Sequence, residues 1–199
     1  MKKGLLTLLL AGTLFYKSLG ESSREYSDLK KYSEIEILNF EKNYENKPLS
    51  EKEIKELLSE VYIPDKYFSK RHLERMILKE SSRNPLAVNE KTLTKGLIQI
   101  KRIAWEEVEY ELPYELNWHK PKKNIRTGQK YLFWLEKTIS KNNPKWKFLT
   151  LQEKRGQIIA GFDWGYGNLK KNNWDPEKFP KETKRYVELV TKNPGGKTI

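Results

Sequence analysis

Apolar residues recur at three- and four-residue intervals along most of this chain, and no stretch alternates apolar and polar positions long enough to make a useful strand. Ile54, Leu57, Leu58 and Val61 form a first stripe. Ser50 and Glu53 ahead of it fit a capping box, in which each side chain accepts the other residue's free N–H. Pro64 opens the next segment at a favourable first-turn position, with Tyr67 and Phe68 behind it, and Leu73, Met76 and Ile77 continue it as an amphipathic helix. Asn84-Pro85 ends that helix, because the residue before a proline disfavours helical backbone. Residues 85–95 read as a loop and residues 96–100 as an apolar run with one amide inserted. Residues 103–110 are helical by pattern, and residues 113–121 are irregular.

The longest predicted helix covers residues 124–140, with Ile125, Gly128, Leu132, Leu135 and Ile139 on one side. Thr150 and Glu153 make a second capping box and start a helix that runs to Phe162. Gly165-Tyr166-Gly167 must turn. Pro180 starts a last helix, in which Tyr186, Val187, Leu189 and Val190 supply apolar contacts, and residues 193–199 form a flexible tail. The pattern therefore predicts one mainly α domain over residues 49–192, with little or no β-structure.

The first 20 residues stand apart. Met1-Lys2-Lys3 is a basic start, residues 4–15 are a nearly unbroken apolar run, and Ser18-Leu19-Gly20 supplies small residues for cleavage before Glu21. The run matches a signal-peptide core and is short for a membrane span. The expectation is an exported protein, periplasmic or associated with the cell envelope, that touches the membrane only where this segment stays uncleaved. Residues 21–48, rich in charge and serine, read as a spacer with one helix over residues 34–43.

Charge and composition then narrow the chemistry. Loss of Lys2, Lys3 and Lys17 with the leader lowers the formal charge from +12 to about +9, still basic. In an exported protein that charge suits anionic wall polymers or simple solubility better than nucleic acid. The chain has no cysteine and only two histidines, His72 and His119, far apart in sequence. Thiolate catalysis is excluded, a Ser-His-Asp triad or metal centre is poorly supported, and no cofactor is implied. Any chemistry rests on carboxylates.

Glu80 is the carboxylate in the wrong place. Leu73, Met76, Ile77 and Glu80 share one helical face, so an acid sits on the core side near the helix end. Burial there raises its pKa, and a glutamic acid still protonated near neutral pH can donate to a glycosidic oxygen. By itself this is a weak signal, since most such glutamates reach water at the rim of a helix face.

The surrounding residues strengthen it. Residues 80–87 (ESSRNPLA) resemble the E-S-x-x-N-P-x-A motif of the soluble lytic transglycosylase family, which is related to goose-type lysozyme. Residues 96–100 (GLIQI) resemble its G-L-M-Q-I, residues 160–168 (AGFDWGYGN) its A-A-Y-N-A-G-x-G-N, and residues 180–187 (PKETKRYV) its P-x-E-T-x-x-Y-V. The motifs stand in family order, and the spacing between the first two is similar to that of small transglycosylases tied to secretion and pilus systems. The resemblance implies a lysozyme-like fold, peptidoglycan glycan strands as partner, and Glu80 as the single acid/base that forms a 1,6-anhydro ring. It also implies a wall-spanning secretion or pilus machine as a further partner, and no nucleic acid.

The same resemblance marks substrate-contacting positions. Ser81 would bond near the carboxylate or the sugar, or else cap its helix. Ile98, where the family often has Met, would be a groove wall. Gln99 would touch substrate or serve a structural hydrogen bond. Phe162 replaces a Tyr whose hydroxyl lies near the acid, so either desolvation alone tunes Glu80 or another hydroxyl, such as that of Tyr166, substitutes. Asp163 replaces Asn, as a second carboxylate able to orient water or as turn chemistry before Gly165. Trp164 is the best groove candidate among six tryptophans. Glu182 and Tyr186 would face the groove and the acid, or act as ordinary helix residues.

Three other readings stay open on sequence. A lysozyme-type hydrolase would keep fold and substrate, with Asp163 and Phe162 permitting it. A non-catalytic wall-binding scaffold is permitted by Phe162 and opposed by Glu80. A basic nucleic-acid binder is permitted by charge and opposed by the leader and the acidic residues over 106–115.

Overall fold

Hydroxyl-capped starts and proline-punctuated ends place most of the helices close to their sequence positions. A computed structural model gives the structure, which describes Lys31, residues 34–39 and residues 47–192. The leader, most of the spacer and the tail lie outside the described residues. Residues 34–39 are helical, in agreement with the pattern as far as they go. Ile37 packs on the core and Glu36 pairs with Lys120 at 3.1 Å, so this part of the spacer is docked on the domain. Among the described residues no helix is long and apolar enough to cross a membrane.

Helix α1 (Glu51–Val61) starts at Ser50 with its capping box formed: Glu53 N donates to Ser50 Oγ at 3.2 Å and Ser50 N to Glu53 Oε2 at 2.7 Å. Helix α2 (Lys70–Ser81) begins later than the sequence suggests. Pro64 does not start it. Ser69 is the cap, with His72 in the role usually taken by Glu: Ser69 N donates to His72 Nδ1 at 3.0 Å. Burial, with Arg155 and Arg75 nearby, pushes His72 down to about 4, which keeps that nitrogen free to accept.

Three two-residue antiparallel strands follow, β1 (Val88–Asn89), β2 (Thr94–Lys95) and β3 (Ile100–Lys101), in the order β1-β2-β3. The first two fall in the loop expected over residues 85–95 and the third at the end of the apolar run; they pair Val88 with Lys95 and Lys95 with Ile100. Such short strands carry no readable alternation, so their pairing is a tertiary outcome. Helices α3 (Arg102–Val108) and α4 (Tyr114–Asn117) lead to α5 (Pro121–Asn142), which starts at Pro121 rather than Asn124 because proline suits the first turn.

Helix α5 runs through the core. Its predicted stripe of Ile125, Gly128, Leu132, Leu135 and Ile139 is buried. Helix α6 (Leu151–Ala160) starts at the Thr150–Glu153 capping box. It ends in a π-helical turn, Gly161–Gly165, that loosens the ladder just where the third motif lies. Gly165, at φ +96°, supplies the turn into α7 (Tyr166–Lys171), a helix the sequence pattern missed. Helix α8 (Lys181–Thr191) follows Pro180 and buries Thr183, Tyr186, Val190 and Thr191. Leu189, expected inside, is exposed. The C-terminal end of α8 is tied to α2 by Arg75, which donates to the carbonyls of Val190 (3.2 Å) and Lys192. The domain is mainly helical, as the pattern predicts.

Candidate active site

Four segments converge on Glu80: the end of α2, the small sheet, the π-turn and α8. Leu73, Met76 and Ile77 are fully buried. At roughly 1.5–3 kcal/mol each, they outweigh what it costs to hold Glu80 on the same face with reduced hydration. Burial raises the Glu80 carboxyl from an ordinary 4.5 to about 7; Asp163 adds to the rise, while the Tyr186 hydroxyl and Lys79 oppose it. Glu80 keeps part of its surface in an open groove of about 620 Å³, walled by Ser81, Ser82, Ala87–Lys91 and Gln99.

The groove wall is built from strained backbone. Ser82 (φ 51°) and Arg83 (φ 68°) end α2 in the left-handed region, and Leu93 (φ 57°) and Gln99 (φ 46°) repeat that conformation around the sheet. Such positions cluster at functional sites, where neighbours hold them in place. Asn84 Oδ1 accepts from Leu86 N at 2.9 Å, and Asn89 Oδ1 accepts from Lys91 N at 3.1 Å, which shapes the bend between β1 and β2. Asn124 of α5 anchors the sheet from behind: it accepts from Ile98 N (2.9 Å) and donates to the carbonyls of Trp118 (2.9 Å) and Lys95 (3.2 Å). The sequence carries no local signal of this role for Asn124, since its two partners in the sheet, Ile98 and Lys95, lie 26 and 29 residues away.

The predicted site residues divide into groups. Tyr186 is brought to Glu80. Its hydroxyl is buried and meets no protein acceptor with full hydrogen-bond geometry, so it stands beside the carboxyl as a near pairing rather than a closed bond. That hydroxyl, and not that of Tyr166, is the one beside the acid. Tyr166 packs its ring on Trp134 and Trp174 instead. Asp163 is exposed and is held from α8, where Thr183 Oγ1 donates to its Oδ2 at 2.6 Å. Its partner is therefore a distant helix rather than the local turn.

Gln99 lines the groove, but its amide is occupied. Nε2 donates to the carbonyls of Ala87 and Gly96, each at 2.9 Å, and Oε1 accepts from Thr94 Oγ1 at 2.9 Å. Ser81 also lines the groove, yet its hydroxyl donates back to the Ile77 carbonyl at 3.0 Å. Ile98 is not a groove wall. It is fully buried and seats against Gly128 of α5, where an added Cβ would lie 2.6 Å from Ile98 Cγ2. Phe162 is half-buried, edge-on to Tyr131 with ring centroids 5.9 Å apart. Trp164 is half-buried against Phe179 at 6.0 Å, and Glu182 is exposed in the first turn of α8.

Thr183 was legible in part. It is the Thr of the P-x-E-T motif, and Thr183, Tyr186 and Val190 share one helical face. By pattern alone a lone Thr on a helical face reads as packing, so its bond to Asp163 is a tertiary outcome.

The Transglycosylase SLT domain family model matches residues 63–184, well over half of the chain. The chain belongs to this family. The match covers α2, the sheet, the π-turn and the first turn of α8 with Thr183, and ends two residues before Tyr186. An SLT domain carries lytic transglycosylase-type activity on peptidoglycan, and the mainly helical architecture agrees with its lysozyme-like fold. No curated protein matches the chain significantly.

Proposed function

We propose that this SLT protein cleaves the β-1,4 bond between N-acetylmuramic acid and N-acetylglucosamine and leaves a 1,6-anhydro end, with Glu80 as both acid and base. The observation that carries the reading is a largely buried carboxyl that opens on the groove wall, where desolvation lifts it towards neutral pH and makes both protonation states accessible. Glu80 gives its proton to the glycosidic oxygen as that bond breaks, and the sugar's own acetamido oxygen covers C1, as in other substrate-assisted glycosidases. The resulting carboxylate takes the proton of the C6 hydroxyl, whose oxygen closes on C1. No water is consumed and no cofactor enters.

Residues 1–20 support export, and so a periplasmic or envelope location where the substrate is found. Work at a secretion or pilus machine fits the motif spacing. A water-adding reaction on the same site is the second reading, favoured by the Asp163 carboxylate that Thr183 holds near Glu80.

The test is a digest of purified peptidoglycan by the mature protein and by Glu80→Gln, with the released fragments weighed. Anhydro ends from the wild type alone support the proposal. Hydrated reducing ends support the second reading, and no release by either protein contradicts both.

A further inference from the structure

The geometry points to Asp163 as the group that receives the substrate's 2-acetamido N–H and faces the oxazolinium cation formed from it, with Thr183 as its positioning residue. This rests on the lyase reading above. Asp163 Oδ2 is taken by Thr183, which is itself buried, whereas Oδ1 accepts no hydrogen bond among the described residues. The Tyr186 hydroxyl, which feels the charges of both Glu80 and Asp163, is also buried and without a fully formed bond. Thr183 and Tyr186 are three residues apart on α8, so one rigid helix sets both groups around Glu80.

The charge itself is the informative feature. An asparagine would accept the Thr183 bond as well, without placing a second negative group near an acid that must ionise. That repulsion is an expense at rest and a gain once a cation forms between the two carboxylates. The step balances without any further reactant. The Glu80 proton moves to the leaving oxygen, the C1–oxygen bond breaks, and the acetamido oxygen bonds C1 to give the oxazolinium. Asp163 accepts a hydrogen bond from the ring N–H without removing its proton. The C6 oxygen then displaces the acetamido oxygen from C1 as Glu80 regains a proton.

The test is binding of an N-acetylglucosamine-derived thiazoline, whose protonated ring nitrogen mimics the N–H of the cyclic intermediate, measured by calorimetry at mildly acidic pH. A linear chito-oligosaccharide serves as the ground-state reference, and peptidoglycan digests are weighed in parallel. With one charge-assisted bond at stake, Asp163→Asn should lose about 10- to 100-fold in thiazoline affinity and less than about threefold for the linear sugar. Thr183→Val should show a smaller loss of the same kind, with Thr183→Ser restoring it. Equal thiazoline affinity in wild type and Asp163→Asn, or no thiazoline binding by wild type, overturns the inference; anhydro products from the same wild-type sample would leave the proposed function standing. Hydrated ends made by wild type and lost in Asp163→Asn would overturn both, since Asp163 would then be activating water.

Discussion

Replacing Glu80 by Gln should make the protein more stable as well as inactive, and the gain should depend on pH. Burial is the main cause that lifts the folded carboxyl from 4.5 to about 7. Below the lower value Glu80 is protonated whether the chain is folded or not. Between the two, the unfolded chain has released the proton and the folded one still holds it, so stability falls as pH rises through that window and levels off above it. A shift of this size corresponds to about 3 kcal/mol at pH 8 or higher, as an upper bound because groove water screens part of the carboxyl. The amide of the Glu80→Gln variant would be neutral throughout, and that variant would keep its stability. Urea denaturation of both proteins across pH 4 to 9 should therefore show curves that separate by roughly 2–3 kcal/mol between pH 4.5 and 8, or about 4–12 °C in Tm for a domain of this size. A constant difference at every pH would refute the reasoning, because it would mean that Glu80 titrates alike in both states.

Three further outcomes follow from the same geometry. Asp163→Asn should lower the pKa of Glu80, by removing the charge that helps to raise it, and the pH profile of glycan cleavage should move to the acid side. Tyr186→Phe should move that profile the other way, since the hydroxyl holds Glu80 down, and by the same linkage it should lose stability relative to wild type as pH rises above 7, read by urea denaturation. Gly96→Ala should cost roughly 3 kcal/mol in chemical denaturation, from left-handed strain and overpacking together. Gly96 has φ +82°, and an added Cβ would fall 2.2 Å from Asn124 Nδ2 and 2.6 Å from the Trp118 carbonyl.

Much of the architecture was legible along the chain because it is written in local patterns. The stripes of α1, α2 and α5 and both Ser/Thr–Glu capping boxes depend on residues within one or two turns of each other, where spacing alone decides the geometry. Glu80 was found in the same way, as a carboxylate on an apolar helical face. The first turn of α2 was misplaced because His72 stands where a capping Glu is expected, and α7 was missed because the glycines around it read as a turn.

The rest needed elements distant in sequence. That Ile98 turns into the core follows from the space Gly128 leaves on α5, and that Gln99 spends its amide on backbone follows from the fold of the small sheet. The hydroxyl beside Glu80 comes from Tyr186 and the anchor of Asp163 from Thr183, both on a helix about 100 residues beyond the acid. Hydrophobic periodicity determined by itself where the helices lie and which carboxylate is out of place. Only the packing of α8 against the end of α2 decided what surrounds that carboxylate, because desolvation, charge and hydrogen bonding act through space rather than along the chain.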